Sequence, residues 1–385
     1  LWPSIPIGHN HNVTWSHMVG MCDNVDVYQE ILNPLNRAEY LFNGKWRQMQ
    51  KRIERISVAG GEVKEIPIYR TVHGPVFSPF PFDPEKATAD KVYTKKLAHW
   101  KKEPLSDDGW WKMMMAANAS EFGQGTSMIM TSLHTSYADT GGNIGYWHTG
   151  LNPERVEGYD PRLPLPGTGQ AEWTGRYLPN AHVINPPKGY VTGWNNKASP
   201  DTRNPDGQNP DYMFGRYHRA LWLKRSLSGR SGLDRQANED LMKYVGGAGT
   251  YYPQHNAYGA ACKDLTPTMS RAIEKADEQN KPLLNKMLQL LTSWDGRSVI
   301  DVVKDEQFQA GHTIFQEWLP RAIAMTFNDE FAEIEEFKLV RSGLFNIFLR
   351  CIDGPTSPLP VSRNYFDDIN TGEIETAEEI FLKLS

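Results

Sequence analysis

The sequence contains few cysteines, no long apolar run and no large excess of one charge. Three cysteines, Cys22, Cys262 and Cys351, allow at most one disulfide, which excludes a small disulfide scaffold and leaves the redox compartment open. No stretch approaches the roughly 18 to 20 apolar residues that cross a bilayer, so we expect a soluble globular chain without a membrane partner. The 46 acidic and 41 basic side chains are interspersed, and a net charge of −5 argues against a nucleic-acid partner.

Common catalytic motifs are missing as well. There is no G-x-S-x-G elbow, no P-loop and no G-x-G-x-x-G after a strand, and we expect no organic cofactor. A Ser-His-Asp triad cannot be assembled from spacing alone. His9, His11 and His17 have no Cys or Glu partner at a diagnostic interval, so we expect strand and turn histidines rather than a zinc site.

The chain is long and rich in aromatic residues. Its 385 residues, 12 of them Trp, exceed what one hydrophobic core comfortably organises. β-branched and aromatic runs dominate the first part, whereas apolar spacing of 3.6 residues dominates the second. We therefore predict an α+β protein with a β-rich part over residues 1–210 and a mainly helical part over residues 211–385.

Local patterns place the individual elements. Predicted strands cover residues 10–19, 25–31, 52–58, 63–69, 127–134, 143–149 and 190–194. Predicted helices cover residues 109–122, 217–226, 234–245, 268–293 and 313–327. Paired glycines at 60–61 and 141–142 predict hairpin turns. Prolines and glycines from residue 152 to 187 predict a long ordered loop without regular elements.

Two polar groups stand out by their chemistry. Asp23 and Asp26, with a carbonyl between them, offer hard oxygen ligands that suit Ca²⁺, although such pairs also occur as solvated faces and caps. Asn195 and Asn196 follow a predicted strand, where a side-chain amide can donate to a developing oxyanion or cap a turn. The residues alone leave both alternatives open.

Short segments follow one another in a distinctive order along the chain. They are GHN at residues 8–10, DNVDVYQE at 23–30, LFNGKW at 41–46, YRTVHGP at 69–75, YAD at 137–139, GNIGY at 142–146, HTG at 148–150, DPRLP at 160–164, PGTG at 166–169, GWNN at 193–196 and WDG at 294–296. In this order they resemble the β-subunit of the penicillin acylase (penicillin amidase) family of N-terminal-nucleophile hydrolases.

The resemblance implies a fold and a reaction. The fold is a partial αββα sandwich with a helical second half. In the reaction an autoproteolytically exposed N-terminal Ser attacks an amide, with its own α-amino group as base. The side chain of Asn195 and the main-chain N–H of Val19 would hold the oxyanion, and Arg219 resembles the arginine that orients the asparagine.

The resemblance also strengthens the calcium prediction. The implied ligands of a structural Ca²⁺ are Asp23, the Val25 carbonyl, Asp26, the Pro161 carbonyl and a later aspartate, Asp211.

An acyl pocket is implied by the same resemblance. Its lining residues would be Ile7, His17, Met21, Trp100 and Leu133, which suit an aromatic or medium apolar acyl group. His17 stands where well-known penicillin G acylases have a small residue, which speaks against assuming phenylacetyl specificity.

Together these features predict an N-acyl amide hydrolase that releases an apolar acyl group from an amine such as a β-lactam nucleus. Alternatives are an acyl-homoserine lactone acylase, a glutaryl-cephalosporin acylase and a non-catalytic calcium-stabilised homologue. The expected partner is an acylase α-chain from the same precursor, and the expected location is the periplasm or the medium. Since the family nucleophile precedes the GHN strand, the resemblance implies a nucleophile upstream of Leu1 and an internal fragment of the β-subunit.

Overall fold

A computed structural model of the protein describes residues 5–20, 22–198, 217, 219–247, 258–297, 306–331, 337–357 and 361–384. The chain divides into two compact units, Leu1–Pro210 and Asp211–Ser385. Both sheets and helices are present, so the class is α+β. None of the helices in these described ranges is long and apolar enough to span a membrane.

The first unit holds the described strands. They are β1 (Gly8–His9), β2 (Val13–Val19), β3 (Val25–Asn33), β4 (Asn36–Phe42), β5 (Lys45–Gln48), β6 (Gln50–Ile56), β7 (Lys64–Arg70), β8 (Val76–Ser78), β9 (Lys91–Leu97), β10 (Leu133–Asp139), β11 (Ile144–His148), β12 (Asn152–Arg155), β13 (Leu165–Pro166), β14 (Trp173–Leu178) and β15 (His182–Ile184). The predicted hairpins with paired glycines are confirmed as β6–β7 and β10–β11.

These strands form two larger sheets and two ribbons. One sheet has five strands in the order β1-β2-β10-β11-β15. The other has six, with β5-β4-β3-β9-β8 along its path and β13 beside β3. The ribbons are β12-β14 and β6-β7. The β13–β3 pair is parallel, and the other described strand pairs are antiparallel.

Two helices, α1 (Pro104–Met115) and α2 (Ala119–Thr126), pack on the five-stranded sheet. Alternate residues of β2 point to one face, and Val13 and Trp15 meet the helices there. The shared core contains Val13, Trp15, Tyr137 and Trp147 from strands, and Trp110, Met113 and Phe122 from helices. Full burial of such a side chain contributes roughly 1.5–3 kcal/mol, so this core fixes the sheet that carries the candidate site.

The predicted single helix over residues 109–122 is wrong, because the chain breaks between α1 and α2. Asn118 adopts an extended backbone and its side chain accepts from Glu121 N. Glu121 Oε2 accepts in turn from the N–H of Ala117 at 2.9 Å. This reciprocal capping starts a new helix at Ala119.

Three further local predictions are corrected. The strand predicted over 127–134 begins only at Leu133, because Met128 N still bonds to Gly125 O at 3.1 Å at the end of α2. The region 152–187 is not free of regular elements, since β12 to β15 lie in it. Residues 190–194 are not a strand; the chain turns there, with Trp194 N donating to Asn196 Oδ1 at 2.7 Å.

The second unit is helical. Its described helices are α3 (Arg219–Leu227), α4 (Arg235–Gly247), α5 (Tyr258–Glu274), α6 (Lys281–Ser293), α7 (Glu306–Phe331), α8 (Phe337–Asp353) and α9 (Ala377–Lys383). The helix predicted over 268–293 is two helices, α5 and α6, and Pro282 lies in the first turn of α6. An aromatic core including Trp294, Phe315, Phe327, Phe345 and Phe348 holds this unit together.

A buried polar cluster centres on Glu30 of the six-stranded sheet. One oxygen of this fully buried carboxylate accepts from Thr71 Oγ1 at 2.6 Å and Thr94 Oγ1 at 2.8 Å, and lies 2.8 Å from His73 Nδ1. The opposite ring nitrogen, His73 Nε2, lies 2.5 Å from Glu172 Oε1. The imidazole therefore bridges two carboxylates and ties the segment before β14 to the sheet.

Charge balance in this cluster depends on His73. Lys96 Nζ bonds to Glu172 Oε2 at 2.9 Å, and the Tyr28 ring stacks on His73 at 3.9 Å. Burial lowers the pKa of His73, but hydrogen bonds to Glu172 and Glu30 outweigh it, so the pKa is raised overall. Burial raises the pKa of Glu172, yet bonds from His73 and Lys96 bring it down to about 2.

The raised pKa of His73 predicts a pH-dependent free energy of unfolding. The stabilising effect is complete below the ordinary pKa of 6.5 and is lost as the pH rises through the higher pKa of the folded state. We expect urea unfolding of the wild type to show this loss on the alkaline side, and His73→Gln to lack it. His11→Gln, at an exposed histidine, should keep the wild-type profile. A wild-type profile that is flat above pH 6.5 would contradict the assignment.

Candidate active site

The end of β2 presents main-chain groups to one side. Val19 lies opposite Leu133 of β10, but Leu133 O accepts from Thr149 N at 2.9 Å and so faces β11. The next residue, Gly20, bonds to Ser132 O at 2.9 Å. Because hydrogen-bonded and non-bonded pairs alternate in antiparallel strands, the N–H and C=O of Val19 point away from β10.

Asn195 meets Val19 on this outward side. The buried Asn195 side chain donates from Nδ2 to Val19 O at 3.0 Å, across 176 positions of sequence. Its backbone has φ of +49°, a left-handed conformation that asparagine tolerates better than most residues. The turn at Gly193–Asn196 therefore aims the Asn195 amide at the edge where Val19 N–H lies.

This arrangement suits stabilisation of a developing negative charge. The N–H and C=O of one strand residue point to the same side, and a side-chain amide nitrogen carries two hydrogens. The Val19 N–H and the Asn195 amide thus lie near one edge, and a pair of N–H groups placed in this way is what an oxyanion-binding site uses. The structure brings together the two donors predicted from the sequence.

Sequence reasoning did not single out His148, which lies beneath the same strand end. Its Nε2 is 3.0 Å from Gly20 O and 3.3 Å from Ser132 Oγ. A carbonyl oxygen can only accept, so Nε2 carries the proton and cannot act as a base toward Ser132. The contact is not a nucleophile–base pair. Its only sequence signal was membership of the HTG segment.

Two predicted pocket residues, His17 and Leu133, lie beside Val19. His17, Val19, Leu133 and Thr135 share one sheet face by their register. His17 Nδ1 is 2.8 Å from Thr135 Oγ1, and its ring meets Trp110 edge-on at 4.6 Å. Burial lowers the pKa of His17 to about 4, so the ring is neutral at physiological pH.

The other predicted pocket residues either lie away from Val19 or fall outside the described residues. Ile7 precedes β1 and is exposed. Met21 lies outside the described residues. Trp100 packs under the Arg70 guanidinium at 4.3 Å. It lines a cleft of about 510 Å³ together with Gln50, Lys51, Arg52, Ile68, Arg70 and Pro75.

Arg219, the predicted orienting arginine, is the first residue of α3 in the second unit. Its side chain is partly buried, and burial lowers the pKa of the guanidinium to about 10. The group remains a cation at physiological pH, as the predicted role requires.

The predicted calcium aspartates form a cluster with Arg155. Arg155 Nη2 lies 2.7 Å from Asp23 Oδ1 and 3.1 Å from Asp26 Oδ1, and Arg155 Nε lies 2.8 Å from Asp26 Oδ2. Trp173 Nε1 also donates to Asp26 Oδ2 at 2.5 Å. Both carboxylates are fully buried and the guanidinium is nearly so.

This cluster does not fit a complete calcium cage. N–H groups occupy three of the carboxylate oxygens, where a cation would otherwise bind. Within the described part of the chain, no three acidic, His or Cys side chains are grouped to hold a metal ion. Pro161 is described but Asp211 is not.

Comparison with known proteins places the chain in a family. The penicillin amidase family model matches residues 1–384. Penicillin G acylase of Escherichia coli is 31% identical over 328 residues, covering 84% of this chain and 36% of the relative. An acyl-homoserine lactone acylase QuiP of Pseudomonas fluorescens is 26% identical over 284 residues, covering 72% of this chain and 33% of the relative.

A solved structure supports the fold. Thermostable penicillin G acylase from Alcaligenes faecalis matches 99% of this chain and 67% of its own, with a TM-score of 0.78 and 26% identity. The chain spans about a third of the length of the curated relatives, at 36% and 33%. The predicted α+β N-terminal-nucleophile hydrolase fold is confirmed. The family model matches nearly every residue, and the chain therefore belongs to the penicillin amidase family.

Proposed function

We propose that this chain supplies the oxyanion-binding part of an N-acyl amide hydrolase. The observation that carries the proposal is the bond from Asn195 Nδ2 to Val19 O at 3.0 Å, which sets the amide beside the outward main chain of Val19. An amide carbonyl attacked by a nucleophile develops negative charge on its oxygen, and two fixed donors lower the barrier to that step.

The attacking group in this proposal is an N-terminal Ser of the whole protein, released by autoproteolysis. Its α-amine, with an ordinary pKa near 8, takes the hydroxyl proton at neutral pH. Arg219 orients Asn195, and an α-chain from the same precursor completes the site. Intact mass and N-terminal sequencing of the mature protein test this, since a processed terminus other than Ser, Cys or Thr contradicts the mechanism.

Calcium and location belong to the same proposal. The carboxylates of Asp23 and Asp26 are fully buried beside the Arg155 guanidinium, and carboxylate oxygens are the hard ligands that suit Ca²⁺. A structural Ca²⁺ at this segment would need further ligands beyond these two side chains. We place the enzyme in the periplasm or the medium, where Ca²⁺ is abundant.

The substrate side of the proposal rests on the face around Val19. Among the described residues of this face, the neutral His17 ring, Leu133 and Trp110 offer no cation that would pair with an acidic acyl group. An apolar acyl chain therefore fits better than a glutaryl chain, whose carboxylate would lose its hydration. A second candidate, hydrolysis of acyl-homoserine lactones, is favoured by the similarity to the QuiP acylase.

A panel of chromogenic amides tests the substrate proposal. We expect the whole protein to hydrolyse phenylacetyl or medium-chain amides at least about tenfold faster, in kcat/KM, than the glutaryl amide, because only the latter buries a charge. Asn195→Ala, with its expected low turnover, is the control for background hydrolysis. Preference for the glutaryl amide would overturn the substrate assignment, and no turnover of any amide would favour a non-catalytic homologue.

A further inference from the structure

His148 is a buried histidine that the proposed chemistry does not use. It lies at the end of β11, and burial lowers its pKa, so the ring is neutral. Its Nε2–H donates to Gly20 O at 3.0 Å. The bond reaches from one strand of the five-stranded sheet, across β10, to the residue that follows Val19.

Gly20 is a residue whose conformation needs to be fixed from outside. A Cβ at this position would lie 2.7 Å from the main chain of Leu133, so a side chain is excluded. Glycine samples more backbone conformations than other residues, which lets a strand end move. The sequence therefore places its most permissive residue directly after the oxyanion donor.

Three hydrogen bonds fix the peptide groups around Gly20. Gly20 N–H donates to Ser132 O at 2.9 Å, and Asn195 Nδ2 donates to Val19 O at 3.0 Å. These two bonds hold opposite ends of the Val19–Gly20 peptide plane. The bond from His148 to Gly20 O holds the next plane. The next described restraint after it is the bond from Cys22 N–H to Ser132 Oγ at 2.9 Å, two residues further on, so the His148 bond is the one that acts directly on the Gly20 carbonyl.

We propose that His148 is a positioning residue that holds the strand end at Val19 and Gly20 in the orientation needed for oxyanion binding. The inference rests on the proposed amide hydrolysis. His148 does not touch the reacting atoms; it acts through the Gly20 carbonyl. Since misplacement of a donor by about 1 Å can cost 10²-fold in rate, a single buried bond at this point affects turnover.

The test compares His148→Leu with His148→Gln in the whole protein. His148→Leu removes the donor, and we expect kcat to fall about tenfold or more while KM changes less than about twofold. The Gln amide can still donate to Gly20 O, so His148→Gln should restore most of kcat. Hydrogen exchange of peptides covering residues 17–24 should speed up in the Leu variant alone.

Tyr137→Phe is the matched control. Tyr137 is buried in β10 at the opposite end of the same sheet, and its hydroxyl donates to Asp139 Oδ2 at 2.7 Å. The Tyr137→Phe substitution removes one hydrogen bond without changing any contact of Gly20. Unchanged exchange at residues 17–24 in His148→Leu overturns the inference, as does an equal loss of kcat in Tyr137→Phe. An inactive wild type instead refutes the proposed hydrolysis, while the exchange comparison still decides the role of His148.

Discussion

Asn195→Ala in the whole protein is expected to lower kcat by on the order of 10² or more, with a small change in KM. In the proposed reaction the amide, which lies 3.0 Å from the Val19 carbonyl, would strengthen its interaction with substrate only as the oxyanion forms. Turnover of a chromogenic amide, measured with substrate saturation curves, separates kcat from KM. Near-native kcat in Asn195→Ala would remove this residue from the mechanism.

Two controls sharpen this experiment. Asn195→Asp keeps the size of the side chain but replaces the two amide hydrogens with an acceptor, so it should be at least as impaired as the alanine variant. Asn285→Ala removes an amide on α6, whose Nδ2 donates to Lys281 O at 2.9 Å rather than to Val19. We expect Asn285→Ala to retain much more activity than Asn195→Ala.

Arg155→Leu is expected to lower the free energy of unfolding by about 3–5 kcal/mol, because it leaves two buried carboxylates without their guanidinium. Urea unfolding measures this. Arg176→Leu is the matched control. Arg176 and Glu154 form an ion pair at the surface, where the arginine side chain is 77% exposed. Such exposed pairs contribute roughly 0–1 kcal/mol. An equal, small effect of the two substitutions would contradict the structural role of Arg155.

The same Arg155 variant examines the calcium prediction. Replacing Asp23 and Asp26 with asparagine in the Arg155→Leu background should recover stability, because the unpaired charges are removed. Added Ca²⁺ should also stabilise Arg155→Leu, since the freed carboxylates are hard oxygen ligands. An EDTA-induced fall in the wild-type melting temperature would support calcium beside Arg155, and an unchanged temperature would count against it.

Local patterns predicted much of the first unit. Alternating residues over β2 and the glycine pairs at 60–61 and 141–142 specify strands and hairpin turns through local backbone preferences. The ends of elements at Asn118 and near Trp194 were not predicted, because hydrogen bonds from individual side chains determine them. The Asn118 cap splits one predicted helix in two, and the side chain of Asn196 turns the chain where a strand was predicted.

In the candidate site, too, the sequence pattern did not predict contacts between side chains, and here the contacting residues lie far apart in the sequence. Val19 and Asn195 are 176 positions apart, so no periodicity joins them; only the order of family segments did. Arg155 was missed since its pairing with Asp23 and Asp26 spans 132 and 129 positions. His148 was missed because a histidine in a strand pattern does not indicate which carbonyl it will reach.

The two proposed donors differ in how mutation can reach them. Asn195 contributes a side chain, so nearly any codon change there alters the donor. Val19 contributes only its main chain, and its side chain is exposed. Eighteen of the other amino acids retain that N–H, and proline alone lacks it. In a library randomised at both positions and selected for activity, we therefore expect many different residues at position 19 and few at position 195. Proline is the replacement that we expect to be absent at position 19.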